Sequence, residues 1–142
     1  MCTLGTDVNA SDWDLLLEAA WRAWGNAYAP YSGFRVGAAV YMKNRSIVVG
    51  CNVENAAYPV SLCAERTALC AAVAQEGLIP GQLVALAIVT ETNGLTPPCG
   101  ACRQVLVEFA ERLPILLANR QRRKLYDLKD LLPNAFSERN LG

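Results

Sequence analysis

Apolar residues recur at helical spacing near the start of the chain: Trp13, Leu16, Leu17, Ala20 and Trp24 fall at i, i+3, i+4, i+7 and i+11, one buried stripe. Ser11 stands ahead of that stripe as a candidate cap, and the helix is expected to reach about Tyr28 before Ala29-Pro30-Tyr31-Ser32-Gly33 ends it. Shorter apolar runs follow. Phe34 to Tyr41 and Ile47 to Val53 flank the polar Lys43-Asn44-Arg45-Ser46, which predicts a hairpin whose turn can place Asn44 in the left-handed conformation. A second helix is predicted from Leu62 to Glu76, stopped by Gly77. Leu83 to Thr90 reads as a buried strand, closed by the Asn93-Gly94 and Pro97-Pro98 loop. A third helix from Cys99 to about Arg112, short strands at Ile115 to Ala118 and Lys124 to Tyr126, and a small helix around Leu128 to Leu132 complete the chain. This alternation predicts an α/β fold in three layers, α/β/α, around a central mixed five-stranded sheet. No repeat or linker divides residues 1–142, so a single domain is expected.

Composition narrows the class. A hydrophobic share of 53% suits a substantial core, and 13 basic side chains cancel 13 acidic ones, which leaves no electrostatic footprint for nucleic acid or an anionic membrane. The one basic cluster, Arg120, Arg122, Arg123 and Lys124, reads as a solvated turn. Met1 to Asp14 lacks a basic run followed by an apolar core, and no apolar stretch approaches roughly 18 residues, so a cytoplasmic location is the expectation. In that compartment six cysteines favour metal or redox chemistry over disulfides. Histidine is absent altogether, which excludes Ser-His-Asp and Cys-His relays and HExxH zinc sites and leaves proton transfer to a carboxylate.

The chemistry concentrates in Cys63-Ala64-Glu65 and Pro98-Cys99-Gly100-Ala101-Cys102. A lone CxxC would suggest a redox pair or a closed structural zinc; joined to Cys63 it supplies three ligands, and three is the number that leaves a coordination position open for water. Cys63 and Cys99 each fall at a predicted helix start, where free N–H groups favour thiolates, and Cys102 returns one turn later on the same face. One Zn²⁺ per chain is therefore expected on Cys63, Cys99 and Cys102, with Arg66 and Arg103 offsetting the surplus thiolate charge through hydrogen bonds to sulfur. Glu65 stands two residues from a ligand as the proton carrier, a role that demands an apolar pocket to lift its pKa. A fourth thiol would have to be Cys2, Cys51 or Cys70; Cys70 lies about 10 Å further along the helix than Cys63, and both it and Cys51 read as core.

At these residues the chain resembles the small homotetrameric zinc cytidine deaminases. The likeness runs from about Ala29 to Phe136, through Tyr31-Ser32-Gly33-Phe34-Arg35-Val36-Gly37-Ala38-Ala39, Asn52-Val53-Glu54-Asn55, Cys63-Ala64-Glu65-Arg66-Thr67-Ala68, Pro98-Cys99-Gly100-Ala101-Cys102-Arg103-Gln104 and Leu131-Leu132-Pro133-Asn134-Ala135-Phe136. The resemblance implies that cytidine and 2′-deoxycytidine are hydrolysed to uridine and 2′-deoxyuridine with release of ammonia, in pyrimidine salvage. It implies a cytidine deaminase-like fold, zinc on the three cysteines and Glu65 as the proton shuttle, as is general for zinc deaminases. It also implies that Asn52 and Glu54 hold the ribose, that Phe34 packs against the nucleoside and that the Ala64 N–H meets the pyrimidine carbonyl. In a homotetramer with shared sites, Phe136 and Tyr58 would reach a neighbour's pocket. Two positions depart from the family pattern: the Lys43 to Ser46 turn lacks glycine, and Ser61 stands where glycine is common.

Taken singly, Phe34 and Phe136 also suit ordinary packing, Glu54 a surface carboxylate and Asn52 a turn. Two other functions use the same cysteines. A deaminase of another aminopyrimidine, whether a nucleoside antibiotic or polynucleotide cytosine, would keep Glu65, although a basic aromatic groove for a polynucleotide is missing. A zinc-stabilised interaction module would need neither Glu65, Asn52 nor Glu54.

Overall fold

A computed structural model of the chain describes residues 8–142, so Cys2 and the first half of the Met1 to Asp14 segment lie outside the described residues. Helix α1 spans Ala10–Gly25. Its cap is Asn9 rather than Ser11: the Asn9 side chain accepts from the Asp12 N–H at 2.9 Å while the Asp12 carboxylate accepts from the Asn9 N–H at 3.1 Å. That reciprocal pair satisfies two helix-end donors at once, which Ser11 could not do from the second helical position. The helix stops at Gly25, short of Tyr28, because Tyr28 is drawn into extended pairing, its N–H donating to the Asn52 carbonyl and its carbonyl accepting from Glu54.

The hairpin forms with trimmed strands, β1 Gly37–Met42 and β2 Ile47–Cys51. Phe34 to Val36 stay outside β1, since the Asn52 side chain takes backbone groups that a neighbouring strand would otherwise use. In the turn, Arg45 and not Asn44 carries the positive φ, 73°, while the Asn44 side chain accepts from the Ser46 N–H. Helix α2, Ala64–Glu76, ends in a left-handed Gly77, and β3 covers Leu83–Val89. Helix α3 is Gly100–Val107, shorter than expected: the Phe109 carbonyl turns away to accept from Gly81, which folds the chain back after one last turn. Strands β4 Pro114–Ala118 and β5 Arg123–Asp127 and the short α4 Leu128–Leu131 follow, with 3₁₀ turns at Tyr58–Val60 and Glu138–Leu141.

The sheet is mixed and five-stranded, in the order β2-β1-β3-β4-β5, with β3 and β4 parallel and the other neighbours antiparallel. Strand periodicity assigns its faces. Ala39, Tyr41, Ala85, Ala87 and Val89 pack against α1, and Ala38, Val40, Met42, Leu86 and Ile88 pack with residues of α2 and α3. Two glycines set the layer spacing. A Cβ on Gly37 would lie 2.1 Å from the Ala20 carbonyl of α1, and one on Gly50 would lie 2.3 Å from the Ala68 nitrogen of α2. Both helices thus ride directly on strand backbone, and α2 holds its first turn against β2.

The basic cluster spans the turn after β4 and the start of β5, and Arg120, Arg123 and Lys124 have local partners. Arg120 lies 3.6 Å over the Trp21 ring and pairs with Glu91 at 2.8 Å, Arg123 pairs with Asp14, and Lys124 approaches the Tyr126 ring.

Candidate active site

Cys63 and Cys99 are the N-cap residues of α2 and α3, both in extended backbone and neither using its side chain as a cap. The positive ends of two helices therefore lie beside the sulfurs. Cys102, buried one turn into α3, completes a trio whose sulfurs all lie within 4.8 Å of one another, the Cys63 to Cys99 separation being 3.8 Å. A tetrahedral ion with metal–sulfur bonds of about 2.3 Å needs sulfurs about 3.8 Å apart, so this donor set fits a metal ion with little adjustment. Cys51 and Cys70 take no part; Cys70 is exposed and Cys51 half-buried, so core packing, expected for both, holds for neither in full.

A hydrogen bond shared with Cys102 lowers the Cys63 thiol to about 5, helped by the Arg66 guanidinium. The same shared bond raises Cys102, which burial pushes further up. Arg66 reaches the Cys63 sulfur at 3.7 Å and the Ser61 carbonyl at 3.4 Å. Arg103 departs from the sulfur contact expected of it. Its Nε donates to the Pro98 carbonyl at 2.8 Å and its Nη1 to the Leu131 carbonyl at 2.7 Å, because the loop before α3 and the end of α4 present unpaired carbonyls closer to hand.

Glu65, on the first turn of α2, is only 5% exposed. Burial raises its carboxyl pKa above the usual range, and the nearby Cys63 charge adds to the effect. Ala64 beside it is fully buried at the first helical position, where its N–H belongs to the free end of the helix.

Asn52 and Glu54 turn their side chains on the loop from Tyr31 to Val36. Asn52 accepts from the Val36 N–H at 2.8 Å and donates to the Phe34 carbonyl at 2.7 Å. Glu54 accepts from the Tyr31 and Ser32 N–H groups at 3.0 and 3.1 Å through Oε1, and from the Ser32 hydroxyl through Oε2. These bonds, that of the Ser32 hydroxyl foremost, hold the Glu54 carboxyl below its ordinary pKa. A cavity of about 350 Å³ beside them is lined by Tyr31, Ser32, Glu54, Tyr58 and Ser61, and the Tyr31 and Tyr58 rings meet edge to face at 5.8 Å. Ser61, unlike a glycine, accepts from the Asn55 N–H and so ties down the loop above α2. Phe34, Tyr58 and Phe136 are all exposed, and the Phe136 carbonyl accepts from Gln104 at 2.9 Å. Sequence reasoning missed Tyr31, Ser32 and Gln104; the signal for the first two was the turn closed by Gly33, whose φ is 68°.

Residues 11–117 match the family model described as the cytidine and deoxycytidylate deaminase zinc-binding region, a span that contains all three thiols and Glu65. The chain belongs to the cytidine and deoxycytidylate deaminase family. It is 41% identical over 133 residues to a cytidine deaminase of Halalkalibacterium halodurans, covering 92% of this chain and 98% of that one. A Mycobacterium tuberculosis cytidine deaminase is 45% identical over 126 residues, covering 88% and 90%. The crystal structure of a cytidine deaminase from Burkholderia pseudomallei superposes with a TM-score of 0.83 at 49% identity, covering 87% of this chain and 98% of its own. The family fold, a mixed five-stranded sheet between helical layers, is the one described above, and a thiol trio able to hold a metal ion lies within the matched region at the starts of α2 and α3.

Proposed function

We propose that this chain hydrolyses cytidine and 2′-deoxycytidine to uridine and 2′-deoxyuridine with release of ammonia, and so serves pyrimidine salvage. The observation that carries the reading is a buried carboxylate, Glu65, beside three clustered thiols in a chain of this family. Cys63, Cys99 and Cys102 would hold one zinc ion. When bound, zinc supplies a Lewis acid that brings the pKa of water down to near neutrality. Glu65 then works as a shuttle: its carboxylate takes a proton from the attacking water and returns it to the ring nitrogen beside the reacting carbon. A second proton of that water leaves with the amine as ammonia, so the carboxylate is regenerated. Desolvation of Glu65 suits this work, because it raises the carboxyl above its ordinary pKa and so eases its uptake of a proton from water. Arg66 holds the Cys63 sulfur and limits the excess negative charge that three thiolates would bring. The Ala64 N–H, at the free end of α2, is assigned to the pyrimidine carbonyl, with Phe34 against the base and Asn52 and Glu54 toward the sugar.

We infer further that the active form is a homotetramer in which Phe136, with Tyr58, closes a neighbour's pocket. Support comes from the exposure of Tyr28, Val53, Tyr58, Val60, Leu62 and Phe136, large apolar side chains that an assembly would cover. No helix among the described residues is long and apolar enough to cross a membrane, and free thiols suit a reducing cytosol. The deciding experiment is Glu65→Gln. The variant should keep its zinc and bind nucleoside while single-turnover deamination falls by about 10²–10⁴-fold, the usual share of a general acid–base. A zinc-loaded variant with a near-normal rate would remove Glu65 from the reaction.

A further inference from the structure

Ser32 joins two residues with functional assignments, Glu54 and Phe34, and has none of its own. Its hydroxyl accepts from the Phe34 N–H at 2.9 Å and donates to Glu54 Oε2. An ionised carboxylate offers about four acceptor positions. The loop fills three of them: Oε1 takes the Tyr31 and Ser32 N–H groups, and Oε2 takes the Ser32 hydroxyl. One acceptor position remains, on Oε2. The amide of Asn52 is half used in the same way, with one oxygen position and one N–H still free after its bonds to Val36 and Phe34. Glu54 and Asn52 thus each keep hydrogen-bonding capacity that the loop does not use.

We propose that Ser32 is a positioning residue for sugar recognition: its hydroxyl aims the last acceptor position of Glu54 at a single nucleoside hydroxyl and fixes the backbone of Phe34 in the same act. The proposal rests on the nucleoside reading above. Ser32 lines the 350 Å³ cavity together with Glu54, so the relay borders the space a sugar would enter. The lowered Glu54 pKa, due first to the Ser32 hydroxyl, agrees with a carboxylate kept ionised as an acceptor. Without that hydroxyl, Glu54 would keep its two backbone donors on Oε1 but lose the contact that fixes Oε2, and the Phe34 N–H would lose its partner.

Ser32→Ala and Ser32→Thr test this in the zinc-loaded enzyme. Because the contact lies away from the reacting carbon and acts in ground and transition states alike, Ser32→Ala should raise KM for cytidine by about ten-fold and leave kcat within about three-fold. Ser32→Thr, which keeps the hydroxyl, should restore KM. An unchanged KM in the alanine variant, or a fall in kcat accompanied by zinc loss, overturns the proposal. A second arm does not need turnover: with ¹³C-labelled glutamate, the Glu54 carboxyl should titrate at higher pH in Ser32→Ala than in wild type. An unmoved Glu54 titration also overturns it. Wild-type enzyme inactive on cytidine would instead refute the proposed reaction, and the titration would still decide whether Ser32 governs Glu54.

Discussion

Replacing Gly50 by alanine puts one methyl group where the backbone of α2 already is. The added Cβ would lie 2.3 Å from the Ala68 nitrogen, 2.4 Å from Thr67 Oγ1 and 2.7 Å from the Ala64 carbonyl, against 3.4 Å or more for ordinary contact. Two of the three obstacles are backbone atoms, so rotamer changes cannot relieve the clash, and α2 must retreat from β2 by about 1 Å. Overpacking of well-packed interiors costs about 1–3 kcal/mol, and a backbone clash belongs at the upper end. For a chain of this size that lowers Tm by roughly 10 °C. The functional cost should be larger than the stability cost suggests, since Cys63, Ala64 and Glu65 begin the helix that moves. A displacement of about 1 Å at a reacting centre can lose about 10²-fold in rate. Differential scanning calorimetry with zinc analysis and cytidine turnover on the same preparation measures all three quantities. Gly25→Ala is the control, with nothing within 4 Å of its Cβ, and should leave Tm unchanged or slightly raised. A Gly50→Ala protein with wild-type Tm, zinc content and turnover would refute the claim that contact between β2 and α2 backbone holds the site.

Asn52→Ala and Glu54→Ala should each lower kcat/KM for cytidine by roughly ten-fold or more, and far less for free cytosine, as competition assays on the two substrates would show; equal losses on both would remove the sugar assignment. Chains carrying Phe136→Ala, mixed with chains carrying Glu65→Gln, should recover activity in hybrid tetramers, because a site with native Glu65 and a neighbour's native Phe136 can then form. Verified hybrids without recovery, or a fully active monomer, would count against shared sites. Acid should act on Glu54 in a defined direction: with its folded pKa held down, it contributes stability above the ordinary glutamate pKa of about 4.3 and loses that contribution as pH falls through the folded value. The stability difference between wild type and Ser32→Ala should accordingly shrink between neutral pH and about pH 3 in urea titrations, and a growing difference would contradict the assignment.

The elements legible in the sequence were those with a strong local period. The Trp13, Leu16, Leu17, Ala20, Trp24 stripe gave α1, and continuous apolar content gave β3, because burial on one or both faces is written residue by residue. The thiol trio was legible for a different reason, since a helix N-cap and a ligand three residues on are local facts about α3. Boundaries failed wherever a group distant in sequence took over backbone groups. The Asn52 side chain delayed the start of β1 by capturing Phe34 and Val36, and the Gly81 N–H ended α3 by capturing the Phe109 carbonyl. Arg103 failed in the same way: adjacency in sequence to Cys102 suggested sulfur, whereas α3 turns its guanidinium toward the carbonyls of Pro98 and Leu131.

All three tryptophans, Trp13, Trp21 and Trp24, lie on α1, on the side of the sheet opposite the helices that carry the thiols. Trp21 and Trp24 meet edge to face at 5.6 Å, and Arg120 covers Trp21. Tryptophan emission of this protein is therefore a one-sided gauge. Emission follows the seating of α1 on β1 and β3, while events at the starts of α2 and α3 are optically silent unless the sheet relays them. A chelator titration followed by emission and by released metal would then give two curves. Their separation measures how far one half of the molecule can loosen while the other stays folded.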